Sequence, residues 1–417
     1  MYAGRRQSDH LAVVSLEQQG EPAEAVSSHL APLPEPCLRT AVATGLIKAI
    51  TLDTSTFEQH SLRLETGLLK QLNQFASSSI VFVVSDVIKS EVIDHLASKT
   101  EEAQRNLDKS LRAATEFWPI DPSLVSDFRS QVIGGFNPRQ VASQRFSDYE
   151  KSTAIEIVGP GKHASIDLIM QAYFQCKPPF ATSGKKKNEF PDAVALFSIE
   201  AWAELNSTKV IVVSRDNDWK DYCLQSERLI LVEDLGRALG IFQLDDATEI
   251  CQHLSDRALS GEIAGLNELV EAAINDELEA IELSPLASSN FRYEHDYTTC
   301  DLQSFTIEGA AEGEPVFQAI NYEDDSIVVE AVATADVSVK FEFSFYTYDS
   351  VDREEISLGS GSATVDEQLT FRLILTLHGN LAHLGGDVDV DEAEATLTST
   401  AVLNCGEIEP DWVLEDR

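Results

Sequence analysis

The run Val210 to Val213 is apolar and β-branched at every position, and it breaks at once into Ser214, Arg215, Asp216, Asn217 and Asp218. "LIKAITLD", "SIVFVVSD" and "RLILVED" have the same form: a short continuous apolar run that stops at a polar or acidic residue. Such runs belong to strands covered on both faces, as in a parallel sheet. The segments between them carry apolar residues at helical spacing. "SLRLETGLLKQLNQFA" does so through Leu62, Leu64, Leu68, Leu69, Leu72 and Phe75. Ser85 and Asp86 supply N-cap chemistry for the long stretch ending in "ATEFW". "HASIDLIMQAYF" and "FPDAVALFSIEAWAELN" predict two more helices. Strand–helix alternation of this kind specifies an α/β domain on a mostly parallel sheet, here over residues 46–245.

Residues 246–284 read as a helical connector, with Leu266, Leu269, Val270, Ala273 and Ile274 on one face. From Pro285 the period falls to two. "VSVKFEFSFYTY" alternates through Val337, Val339, Phe341, Phe343 and Phe345, and "QLTFRLILTLHG" through Leu369, Phe371, Leu373, Leu375 and Leu377. This predicts a C-terminal antiparallel β-domain of sandwich type over residues 285–417, able to fold by itself. Residues 1–42 mix Pro, Ala, Glu and Ser without a sustained period and read as a disordered tail.

Composition adds a constraint. The 417 residues carry 31 Lys and Arg against 70 Asp and Glu, a formal net charge of −39. Residues 285–417 hold 28 of the acids and 5 of the bases, so most of the excess lies in the β-domain. Charge of this sign opposes nonspecific nucleic-acid binding and leaves the β-domain suited to protein recruitment or self-association. The six cysteines form no metal-ligand spacing, no secretory signal is evident, and no stretch is long and apolar enough to span a bilayer. The expected compartment is the cytoplasm, with reduced thiols.

Ligands of open α/β sheets bind outside the carboxyl ends of the strands. Four segments send acids to that edge: Asp53 ends the first strand, Glu91 lies early on the helix after the second, Asp192 opens a later helix, and Asp216 and Asp218 follow the Val210 run. Each has an ordinary reading alone, as a turn residue, a surface glutamate, a helix-dipole partner or an Asx-turn cap. Together they suit a hard divalent ion, Mg²⁺ or Mn²⁺.

"LDTSTF", "SDVIKSEV", "FPDAVAL" and "VVSRDNDW" resemble, in order, the acidic motifs of the PIN-domain nucleases. The wide gap between Glu91 and Asp192 resembles the larger PIN-like proteins, with a helical insertion, rather than the compact toxins. The resemblance implies a metal-dependent phosphodiester hydrolase that acts on RNA in preference to DNA and leaves 5′-phosphate and 3′-hydroxyl ends. It assigns Asp53, Glu91, Asp192 and Asp216 to catalysis, with Asp53, Asp192 and Asp216 holding metal, Asp218 in support, and Ser214 as the hydroxyl before the last acidic motif. Lys185, Lys186 and Lys187 just before Asp192, with Lys89 and Arg215, are candidate phosphate contacts. A toxin-like or phage-defence effector and a catalytically silent scaffold whose β-domain recruits proteins are the rival expectations.

Overall fold

Strand β1 (Ile47–Leu52) is the centre of a five-stranded sheet. It pairs in parallel with β2 (Val81–Ser85) on one side and β4 (Lys209–Val213) on the other. β3 (Glu156–Val158) and β5 (Leu229–Val232) complete the order β3-β2-β1-β4-β5, and every pairing is parallel. These are the four strands expected from the apolar runs plus β3, whose three residues are too short to show a pattern. The computed structural model describes residues 34–132, 137–180, 189–243, 245–308, 315–323, 325–349, 354–381 and 386–415.

The helices of this layer are α1 (Glu35–Ala43), α2 (Thr54–Gln59), α3 (Gly67–Lys70), α4 (Asp86–Phe117), α5 (Pro122–Val132), α6 (Pro138–Thr153), α7 (Pro160–His163), α8 (Ile166–Gln175), α9 (Phe190–Leu205), α10 (Asn217–Cys223) and α11 (Leu235–Ile241). The segment expected to be one helix from Leu62 to Phe75 is α3 followed by a 3₁₀ helix, Gln71–Ser77. Helix α1 occupies part of the stretch read as a disordered tail. It is held by Leu38 in the core and by Arg39, which bonds the Gln243 carbonyl (3.3 Å) and Thr248 Oγ1 (3.1 Å). The rest of that stretch, residues 1–33, lies outside the described residues. α4 to α8 fill the gap between Glu91 and Asp192 as the expected helical insertion.

The second part consists of α12 (Asp245–Leu259), α13 (Leu266–Ala280), β6 (Ser284–Ser288), β7 (Arg292–Glu308), β8 (Gln318–Glu323), β9 (Ser326–Asp349), β10 (Glu354–Gly379), β11 (Val388–Leu397), β12 (Val402–Glu407) and α14 (Asp411–Glu415). β9 and β10 form one long antiparallel hairpin, flanked by β11 on one side and by β7 and β8 on the other. The period-two pattern buries the expected face. Small and large residues face one another across it: Ala331 pairs with Leu373, Ala333 with Phe371 and Ala335 with Leu369. Helices α12 and α13 share this core through Cys251, Leu254, Leu266, Val270 and Ile274. They form a layer on the sheet, together with the parallel β6–β12 pair, so the second layer of the sandwich is helices and a small sheet. The helical connector is therefore part of the second core and not a spacer.

The two parts meet across the other face of the sheet. Ile320, Val328 and Ile374 belong to the core of the α/β layer. Gln243 Nε2 and Gln74 Nε2 both donate to the Ile320 carbonyl (2.7 and 3.1 Å), Gly67 N donates to Glu394 (2.7 Å), and Arg63 pairs with Glu277 (3.0 Å). Helix α11 lies closest to the sheet through two glycines. A Cβ on Gly236 would stand 1.7 Å from Glu330 Oε2, and one on Gly240 would stand 2.7 Å from Gln318 Nε2.

Glu330, its side chain 11% exposed, thereby lies beside Arg372, whose Nε is 2.6 Å from Glu330 Oε1, and near Asp234. Burial pushes the Glu330 carboxyl up to about 7, against the downward pull of Arg372 and with a further upward push from Asp234. A carboxyl raised on folding favours the fold below its ordinary value, and this contribution is lost as pH rises through the folded value. Wild type is therefore expected to lose stability relative to Glu330→Gln between pH 4.5 and pH 7, by roughly 3 kcal/mol if the whole shift is expressed. Urea unfolding of both proteins across that range measures it. A stability difference that stays flat with pH contradicts the assignment.

Candidate active site

All four sequence-predicted acidic segments lie at the carboxyl ends of the parallel strands or on the helices that follow them. The ends of β1 and β4 are tied together: Asp53 N donates to the Val213 carbonyl (3.0 Å), and Thr56 Oγ1 bonds the same oxygen (2.8 Å). Asp53 stands at the N-cap position of α2 and is 4% exposed. Its Oδ2 accepts from Ser214 Oγ (2.9 Å) and from Ser55 Oγ. Ser214 Oγ in turn accepts from Asp216 N (3.0 Å), so one hydroxyl links the acid after β1 to the acid after β4. Burial raises the Asp53 carboxyl, the two serine hydroxyls hold it down, and the charge of Asp216 raises it again.

Asp216 caps α10, its Oδ1 accepting from Asp218 N (2.6 Å) and Trp219 N (3.4 Å). The Asx-cap reading of this stretch is therefore correct as local structure and compatible with a second role. Asp192 lies in the first turn of α9, where Pro191 fits because the first helical N–H groups have no partner inside the helix. Trp219 Nε1 donates to Asp192 Oδ1 (3.0 Å). Asp192 is pushed up to about 6, chiefly by burial, with the Trp219 bond opposing and with Asp53, Asp216 and Glu91 adding like charge. Asp53, Asp216 and Glu91 thus all lie near enough to Asp192 for their charges to reach it. Glu91 accepts from Thr54 Oγ1 (2.6 Å), which brings α4 to the first turn of α2. Asp218, in the first turn of α10, is raised by burial and by Asp216, Glu189 and Asp221.

The other expected residues lie elsewhere or are otherwise engaged. Lys89 Nζ bonds Glu150 (2.6 Å) and sits over the Phe146 ring. Arg215 turns toward the end of β5: Nε donates to the Glu233 carbonyl (3.3 Å), and Nη2 lies 3.7 Å from Asp234. Lys185, Lys186 and Lys187 lie outside the described residues. Thr54, Ser55 and Trp219 were not read as site residues. Trp219 had a signal, since an indole N–H three residues after a capping aspartate faces back toward the strand ends.

Among the described residues, no three Asp, Glu, His or Cys side chains stand together as a ready-made ion cage. The hydrogen bonds explain this: Asp192 faces Trp219, Glu91 faces Thr54, and Asp216 faces its own helix. The donor set still fits a hard divalent ion in its chemistry. It consists of carboxylate oxygens from four segments; Asp53 and Asp192 are both raised, chiefly by burial, with Asp216 adding like charge to each.

No curated protein and no solved structure matches the chain. A protein-family model, the PIN domain, matches residues 50–219, an interval that begins inside β1, takes in all four acids and ends on the tryptophan that holds Asp192. The fold, the order of the acids and this match agree in identifying residues 50–219 as a PIN domain.

Proposed function

We infer that the protein hydrolyses phosphodiester bonds with a divalent ion, Mg²⁺ or Mn²⁺, and that RNA is its preferred substrate. PIN domains are a nuclease family, and the observation that carries the reading to this chain is the Ser214 hydroxyl joining Asp53 to Asp216, with Asp192 close enough to Asp53, Asp216 and Glu91 to be raised by their charge. Asp53, Asp192 and Asp216 would hold the ion, with Glu91 completing the set and Asp218 in support. The ion, when bound, supplies Lewis-acid stabilisation of the phosphate and a lowered water pKa. Within the chain, Ser214 orients Asp53 and spaces it from Asp216, and Trp219 fixes the rotamer of Asp192. The helical insertion supports a substrate range different from that of the compact toxins, and a latent effector of toxin or phage-defence type is compatible with it.

The direct test is incubation of the whole protein with end-labelled single-stranded RNA and DNA, with and without Mn²⁺. Mn²⁺-dependent cleavage with a preference for RNA is expected, and no cleavage of either strand rejects the reading. One observation favours a second reading, a silent scaffold: the acids all have structural hydrogen-bond roles. A Mn²⁺ titration separates the two, because a scaffold has no reason to bind the ion.

The three lysines before Asp192 are expected to touch phosphate. Changing Lys185, Lys186 and Lys187 to Ala should weaken single-stranded RNA binding and flatten its dependence on log[salt] by about 0.7 per lost contact. An unaltered slope removes these lysines from the substrate contacts.

A further inference from the structure

The junction between the α/β layer and the C-terminal sheet contains a line of charges that ends at the active-site loop. Arg372 on β10 donates from Nη2 to Asp234 Oδ2 (2.7 Å), while its Nε pairs with Glu330 on β9. Glu330 is seated against Gly236, where any side chain would displace it. Asp234 follows β5 and caps α11 by accepting from Arg237 N (2.9 Å) at its other oxygen. Arg215 Nη2 approaches the same Asp234 Oδ2, at 3.7 Å. Two guanidinium groups thus address one carboxylate oxygen, and the one from the sheet is closer by 1 Å. Arg215 is the residue between Ser214 and Asp216, and its side chain is 58% exposed. With its amide turned to the hydrogen-bonding orientation, Gln59 at the end of α2 accepts from both Nη atoms of Arg215 (3.0 and 3.1 Å). His60 is buried beside these groups, with Nε2 unpartnered; burial lowers it to about 4, with Arg372 and Arg215 adding to the fall and Asp234 opposing it.

We propose that Arg372 is a positioning residue for the nuclease site: by occupying Asp234, it leaves Arg215 held by neutral acceptors, the Gln59 amide and the Glu233 carbonyl, with its charge available to a substrate phosphate beside Asp216. The inference rests on the nuclease reading. It gives the C-terminal sheet a direct part in the site, although the sheet's own charge repels nucleic acid. Docking of the sheet on α11 keeps Asp234 occupied. Loosening of that docking frees Asp234 to take Arg215, which weakens substrate binding without touching the carboxylates.

The test uses Arg372→Ala with Glu330→Ala, which removes the ion pair as a unit so that Glu330 is not left without its cation, and frees Asp234. KM for single-stranded RNA is expected to rise about fivefold, the scale of one exposed ion pair, with kcat nearly unchanged. Adding Asp234→Asn keeps the helix cap but removes the competing charge, and it should bring KM back. A structural defect would not be rescued in this way. The second readout needs no catalysis: the Arg215 Nε–H resonance, assigned by its disappearance in Arg215→Lys, should shift in the double variant and return when Asp234→Asn is added. If wild type cuts neither nucleic acid, the nuclease reading fails alone and the resonance still judges the relay. If the double variant does not fold, Asp234→Asn alone decides: it should move the resonance and lower KM. An unmoved resonance, or an elevated KM that Asp234→Asn does not restore, overturns the proposal.

Discussion

Asp53→Asn and Asp216→Asn are each expected to abolish Mn²⁺-dependent cleavage while leaving the fold at least as stable as before. The loss follows from charge. Metal-ion catalysis supplies several kcal/mol of transition-state stabilisation, and each 1.36 kcal/mol is tenfold in rate, so a fall of about 10³ is the scale to look for. The gain in stability follows from the same field. Asp192 is held up by burial first and then by the charges of Asp53, Asp216 and Glu91, so neutralising one of these relieves it. Local structure is preserved in both variants. Asn is as good an N-cap as Asp, so α10 keeps its first turn in Asp216→Asn. At position 53 an amide oxygen can still accept from Ser214. A dead enzyme that melts at or above the wild-type temperature is the signature of a site that costs stability. Isothermal titration with Mn²⁺ and thermal unfolding measure the two halves. Unchanged Mn²⁺ affinity in both variants would falsify the site assignment.

Much of this site is written in the sequence because its parts are local. A β-branched run that ends in Asp says both where a parallel strand lies and which end of it carries chemistry, and Asp53 and Asp216 were legible on that ground. Glu91 and Asp192 were legible only through their order among the motifs. The fine geometry was not, because it depends on donors from other segments: Thr54 on Glu91, Ser214 on Asp53 and Trp219 on Asp192. β3 has too few residues for a period, and in β7, "RYEHDYTTCDLQSFTIE", two register shifts against β9, at His295/Tyr297 and Leu302/Ser304, break the alternation. The junction was hidden for a different reason. In "SIVVEAVATA" and "QLTFRLILTLHG", Glu330 and Arg372 occupy the polar positions of alternating strands, and period two assigns such positions to solvent. The structure covers them with α11. Alternation identifies the two faces of a strand but does not say whether the polar face stays wet.

The same junction bears on how the chain divides. A fragment starting at Pro285, the boundary suggested by the change of period, keeps every strand of the large sheet but loses α12 and α13. Those helices supply Ala247, Cys251, Leu254, Leu266, Val270, Ala273, Ile274 and Leu278 to the core beneath it. Fully burying one Leu, Val or Ile side chain is worth about 1.5–3 kcal/mol, so Leu254, Leu266, Val270, Ile274 and Leu278 alone carry about 7.5–15 kcal/mol, as much as the 5–15 kcal/mol that separates a typical domain from its unfolded chain. A fragment of residues 285–417 is therefore expected to lack a cooperative urea transition and to expose the row Val337, Val339, Phe341, Phe343 and Phe345, which binds hydrophobic dye or aggregates. A fragment from Asp245 retains that cover. It exposes only the smaller patch of Ile320, Val328 and Ile374 that docks on the α/β layer, and it should unfold in one transition. Circular dichroism of the two fragments across a urea series makes the comparison. A cooperative transition in the fragment from Pro285 would show that the sheet needs no helical cover, and α12 and α13 would then be a connector after all.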